Sequence, residues 1–90
     1  MDEVKKALVT LAIEKSLLDI GKPTYDEVVE NLKKRYNRYI PDCYEHPEYL
    51  REILKELYGN THKTIVKSIK EQLEEFSYHK PIARFLKVIK

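Results

Sequence analysis

Residues 41–50 read PDCYEHPEYL, which sets Asp42, Cys43, Glu45 and His46 close together in the chain. A thiol and an imidazole separated by two residues is a spacing found inside zinc sites, and the same two groups can act as a nucleophile and its base. The rest of the chain completes neither chemistry. A structural zinc site takes four strong ligands, commonly several thiolates, yet Cys43 is the chain's single cysteine and no partner spacing follows it. A cysteine nucleophile needs a facing base, a third group that orients that base, and an oxyanion hole, and the sequence names none of them. We therefore expect no metal, no cofactor and no catalytic residue. The same ten residues make sense as architecture. Pro41 stops one helix, Asp42 or Cys43 begins a turn, His46–Pro47 starts the next helix, and Glu48 meets its positive end. Cys43 is then a small buried hydrophobe.

A second stretch carries charge in an unusual order. In THKTIVKSIKEQLEEF, residues 61–76, His62, Lys63, Lys67 and Lys70 come early and Glu71, Glu74 and Glu75 come late. This opposes the helix macrodipole, at about 0.3–1 kcal/mol for each misplaced end charge. A helix start with free N–H groups, two threonines and nearby lysines is a candidate anion site, so Thr61, His62, Lys63, Thr64 and Lys67 are the candidate contacts to a phosphate or nucleic acid. The competing reading is a solvated face on which Lys67 pairs with Glu71 and Lys70 with Glu74. Base-reading side chains are scarce, Gln72 alone qualifying, so sequence-specific readout is not expected.

Seven tyrosines, at 25, 36, 39, 44, 49, 58 and 78, form a third feature. Tyr36 and Tyr39 sit among Lys34, Arg35 and Arg38, a mixture able to stack on single-stranded bases. Tyrosines of this kind more often edge a core with the ring buried and the hydroxyl wet, or line a protein interface. Two glycines, at 21 and 59, cannot build a phosphate loop, and carboxylate pairs without a cleft are ordinary solvated surface.

The elements that position these residues are helices throughout. From Asp2 to Ile20, Val4, Leu8, Leu11 and Leu18 make one apolar stripe and Val9, Ile13, Leu17 and Ile20 a second, which predicts a central helix touched on two sides. Gly21 suits a left-handed C-cap, and Thr24 with Glu27 spells a capping box for a second helix whose apolar positions run from Tyr25 to Tyr39, ended by Pro41. Pro47 opens a third helix with Leu50, Ile53, Leu54, Leu57 and Tyr58 inward, closed by Gly59. Asn60 or Thr61 caps a fourth, with Ile65, Val66, Ile69, Leu73 and Phe76 inward, and Pro81 opens a short fifth with Ile82, Phe85, Leu86 and Ile89 inward. Strand alternation is absent. The fold class is all-α, a compact bundle of about five short helices in a single domain spanning 1–90.

Composition agrees with this. Hydrophobic residues at 42% and charged residues at 36%, with few Gly and Pro, describe a folded helical domain. A chain this short buries only roughly 60–65% of the surface its unfolded form exposes, so it builds one modest core with no room for a cofactor domain. Seventeen Lys and Arg against fifteen Asp and Glu give a formal charge of +2, too small for a dedicated nucleic-acid protein, so any anion binding must come from local clustering. A lone cysteine and the lack of a bilayer-length apolar run or a signal peptide point to the cytoplasm and to no membrane partner.

DCYEHPEYL at 42–50, LKELYGN at 54–60 and IVKSIKEQL at 65–73 together resemble small archaeal domains called Nitrosopumilus output domains, with similarity from LLDIGKP at 17–23 to the FLKVI end. The resemblance implies an all-helical module, often attached behind a receiver or other sensor in signalling proteins of ammonia-oxidising archaea. No receiver precedes Met1 in this chain, so a free-standing member or an excised piece is implied. The family supplies no catalytic or ligand residues to carry over. The leading expectation is a non-enzymatic output or protein-interaction module of archaeal signal transduction. Helix one's second stripe would offer a surface to a protein partner or a second copy. The alternative is a DNA-binding output module in which helices three and four form a helix-turn-helix-like pair.

Overall fold

The computed structural model describes residues 2–90. Five α-helices follow one another: α1 (Asp2–Ile20), α2 (Lys22–Tyr36), α3 (Pro47–Tyr58), α4 (His62–Leu73) and α5 (Lys80–Ile89). Three single 3-10 turns join them, Ile40–Tyr44 before α3, Gly59–Thr61 before α4 and Glu74–Phe76 after it. No strand occurs among the described residues. A radius of gyration of 11.8 Å meets the about 12 Å expected of a ninety-residue globule.

One core serves all five helices. Val9, Ile13 and Leu17 from α1 meet Val28 and Leu32 from α2, Leu50, Ile53 and Leu54 from α3, Ile65, Ile69 and Leu73 from α4, and Ile82, Phe85 and Ile89 from α5, all essentially removed from water. Each such side chain contributes roughly 1.5–3 kcal/mol of transfer free energy. α1 packs on the 40–44 turn, α4 and α2, whereas α3 packs mainly on α5 and α2. α3 and α4 meet only lightly across their tight turn.

α1 departs from the two-sided helix that its pattern predicts. Its inner stripe is Val9, Ala12, Ile13, Ser16 and Leu17, while Val4, Leu11 and Leu18 of the other stripe stand in water and Ile20 is exposed at the helix end. The small side chains of Ala12 and Ser16 let α4 close in on that side, and Ser68 Oγ donates to Ser16 Oγ at 2.9 Å. Gln72 Nε2 donates to the same oxygen at 3.2 Å, so a satisfied polar link fixes how α1 and α4 meet.

Two helix boundaries also differ from expectation. α1 and α2 are joined through Gly21 alone, whose φ of 158° and ψ of 155° form an extended bend rather than a left-handed cap. Because α2 already starts at Lys22, with Pro23 in its first turn, Thr24 lies inside the helix and no capping box forms. α2 then stops at Tyr36, before Pro41 is reached. Asn37 turns left-handed (φ 54°) and donates its N–H to Lys33 O at 3.0 Å, while Arg38 N–H reaches Leu32 O at 3.3 Å. These bonds satisfy the last carbonyls of the helix. Pro41 instead sits in the following 3-10 turn.

Candidate anion-binding face

The 41–50 stretch disperses its polar side chains. Cys43 lies in the core, 1% exposed, and burial pushes its thiol up to about 12, so it is neither a thiolate nor a nucleophile near neutral pH. Asp42 accepts the Tyr39 N–H at 2.9 Å, holding the 3-10 turn, and Glu45 pairs with Lys6 at 3.2 Å. His46 stacks on Tyr49 with ring centres 4.7 Å apart, and Tyr49 stacks in turn on Tyr36 at 4.1 Å. The run of chemically able residues thus builds a turn and an aromatic ladder. Among the described residues no three His, Cys, Asp or Glu side chains gather to hold a metal ion.

That ladder also closes the tyrosine and arginine cluster. One face of the Tyr36 ring is covered by Tyr49, Lys33 lies 4.7 Å over the Tyr39 ring, and Arg35 makes a two-pronged bond to Glu56. One face of each of these two tyrosine rings is thus occupied within the chain, while Tyr39 keeps 56% of its surface in water.

α4 behaves in the opposite way. Burying Ile65, Ile69 and Leu73 turns Lys63, Lys67 and Lys70, at i, i+4 and i+7, outward on one side of the helix. The end of α5 brings Lys87 and Lys90 alongside. A shallow depression of about 490 Å³ is lined by His62, Lys63, Val66, Lys67, Lys70 and Lys90. Two adjoining ones add Lys87 on the α5 side and Lys55, Gly59 and Asn60 at the α3–α4 turn. Among the described residues no Asp or Glu lines any of the three. None of the six lysines comes within 4.0 Å of a carboxylate among the described residues, and the i, i+4 pairs Lys67–Glu71 and Lys70–Glu74 do not form.

Of the residues singled out at the start of α4, Lys63 and Lys67 join this face. Thr61 and Thr64 are exposed but line none of its depressions, and Thr61 makes no side-chain capping bond. His62 is 5% exposed. Its Nδ1 faces Gly59 O at 3.2 Å and its Nε2 faces Lys90 O at 3.4 Å, so the ring is a strut tying the start of α4 to the end of α5, beneath the lysines. Gln72, the single candidate for reading base edges, is turned inward to Ser16. Lys55, Lys70, Lys87 and Lys90 were not singled out by sequence reasoning. Lys70 enters the sequence analysis only through the charge order of residues 61–76 and its pairing with Glu74, and the α5 pair becomes a neighbour only through packing.

A separate hollow of about 270 Å³ lies between the start of α1, the 40–44 turn and α5, with Asp2, Tyr44, Glu45 and Arg84 on its walls. It is smaller than the roughly 300–1,000 Å³ of a usual small-molecule site. Among the described residues no helix is long and apolar enough to cross a membrane. No family model, curated protein or solved structure matches the chain.

Proposed function

We propose that this domain is a non-enzymatic binding module that holds the sugar-phosphate backbone of a nucleic-acid duplex on the lysine face of α4 and α5, as a cytoplasmic output element of signal transduction. One observation carries the binding reading: six lysines line adjoining depressions that no Asp or Glu lines, and none of the six forms an ion pair among the described residues. The remaining eleven Lys and Arg stand against fifteen Asp and Glu, so the rest of the chain is net acidic and the charge is strongly one-sided. Such a distribution steers a polyanion to one face.

The energetics support the same reading. Lys63, in the first turn of α4 with no acid beside it, costs stability and receives no compensating ion pair, whereas Lys70 lies in the last turn, where the macrodipole favours it. Local rules broken in this way belong to working surfaces more than to scaffolding. Lys63 to Lys70 extends over about 10 Å of helix, the length of several phosphates on one strand. With Gln72 engaged internally and no arginine on the face, the contacts are to phosphate, which positions a duplex without reading its sequence. The signalling context is supported by the resemblance of residues 42–50, 54–60 and 65–73 to archaeal output domains.

Fluorescence anisotropy with a short labelled duplex tests the binding reading. The Lys63→Ala, Lys67→Ala double variant is expected to bind about tenfold or more weakly at low salt and to reduce the salt slope by about 2. Unchanged affinity and slope would remove the proposal.

A further inference from the structure

The outer face of α1 carries a largely exposed apolar seam. Val4, Leu11 and Leu18 are 60%, 62% and 48% exposed, and Leu8 is half-buried beside them. Together with Lys15 they run 4, 8, 11, 15, 18, alternating steps of four and three residues, which is the a/d spacing of a coiled-coil seam. The inner stripe, Val9, Ala12, Ile13, Ser16 and Leu17, is wider and already spent on the core. A seam of period 3.5 presents one narrow face to one second helix along its length.

The two ends of the seam differ. At the amino end Val4 and Leu8 share a largely apolar hollow of about 320 Å³ with Phe76 and the 76% exposed Tyr78. At the other end Leu18 stands out as a knob. A hollow at one end and a knob at the other fit each other only when a second, identical helix runs in the opposite direction. The flanking charges agree. Lys5 and Asp19 lie on the same flank of the seam, near opposite ends, with Asp19 3.8 Å from Lys15 of its own helix, and Glu14, which accepts from Tyr25 OH at 3.4 Å, lies on the other flank. Antiparallel pairing sets like flanks together and brings Lys5 beside the other copy's Asp19, twice by symmetry. Parallel, in-register pairing would set Glu14 beside Asp19, two like charges, also twice.

We propose that two copies of this chain pair antiparallel through the outer face of α1, about a two-fold axis near Leu11. Lys15 takes a core position of that seam, where a lysine sets orientation while its ammonium reaches out to water. The seam from Val4 to Leu18 is about 21 Å long. That is a short contact, at the small end of specific interfaces, so the association is expected to depend on concentration. The pairing does not depend on the lysine face, which lies on α4 and α5.

Sedimentation velocity of the full chain over a hundredfold concentration range tests it. The expected result is a concentration-dependent shift from monomer to dimer. Leu11→Glu, at an exposed position, should stay monomeric with unchanged helical circular dichroism. Asp19→Lys should weaken the dimer about tenfold, and adding Lys5→Asp should restore it, because the swapped pair again attracts. Each of these charge changes favours its own helix end, but Asp19→Lys also removes the Lys15–Asp19 pair, so helical circular dichroism of every variant is read beside its association and separates a loss of pairing from a loss of fold. A monomer at every concentration, association unaffected by Leu11→Glu, or a dimer tightened by Asp19→Lys would each overturn the proposal, the last by showing a parallel pair.

Discussion

α1 and α4 pack against each other inside, pinned by Ser16, Ser68 and Gln72, and turn very different surfaces outward. α4 and the end of α5, with Lys55 of α3, present six lysines around half-buried Val66. α1 presents Val4, Leu11 and Leu18 around one lysine. The first surface acts through charge, so its attraction is long-ranged, additive over lysines and weakened by salt. The second acts through apolar area and shape, so it is short-ranged and largely indifferent to salt. A domain with room for one core has thereby kept two solvent-facing surfaces that can work independently.

The largest expected contrast lies between the buried and exposed stripes of these helices. Ile69→Ala removes a fully buried side chain and should cost about 2–5 kcal/mol in chemical denaturation. Leu11→Ala, on the exposed seam, should stay within about 0.5 kcal/mol. Measured at a concentration where the chain is monomeric, a large loss from Leu11→Ala would mean that the seam is part of the core and would dissolve the contrast.

pH sharpens the view of the interior. The Cys43 thiol rises from 9.0 to about 12 through burial first, with Asp42 and Glu48 adding to it. Tyr58 rises from 10.0 to about 12 through burial and then its bond to Glu27. Both groups are neutral acids in the native state that ionise more easily when unfolded. Their contribution is therefore fully present below about pH 9 and is lost as pH climbs toward about 12. Denaturation midpoints should fall over that window, and Cys43→Ala should flatten the early part of the fall. At pH 8 the native thiol should react with a disulfide reagent far more slowly than the urea-unfolded chain. Equal rates would place Cys43 at the surface.

A smaller effect tests the link between the two helices. Ser16→Ala leaves Ser68 and Gln72 without their shared partner and should cost about 1–3 kcal/mol. No change on denaturation would mean that apolar packing alone sets how α1 and α4 meet.

Much of the fold is readable from periodicity. α3, α4 and α5 each carry one clean apolar stripe, and Pro47 and Pro81 mark their starts. α1 defeats that method because it is apolar on two sides. What selects its inner side is Ala12 and Ser16, two residues that hydrophobic patterning ignores but that permit close approach. The end of α2 was hidden for a similar reason. Pro41 is the louder stop signal, yet Asn37 takes the left-handed conformation first. For the candidate site, a helical row exposes Lys63 and Lys67 in the sequence, whereas Lys87 and Lys90 join them only through tertiary packing. His62 looks like a surface contact from its place in the first turn of α4, and its burial follows from the way the end of α5 crosses above it.

The most direct test of the central claim is an amide NMR titration of the labelled chain with a short duplex at about 50 mM and about 200 mM salt, a range over which six phosphate contacts weaken about a thousandfold. The account predicts shifts at residues 62–70 and 87–90 that vanish at the higher salt, with the outer face of α1 silent. Shifts on α1 that persist in salt, or no shifts at either concentration, would contradict it.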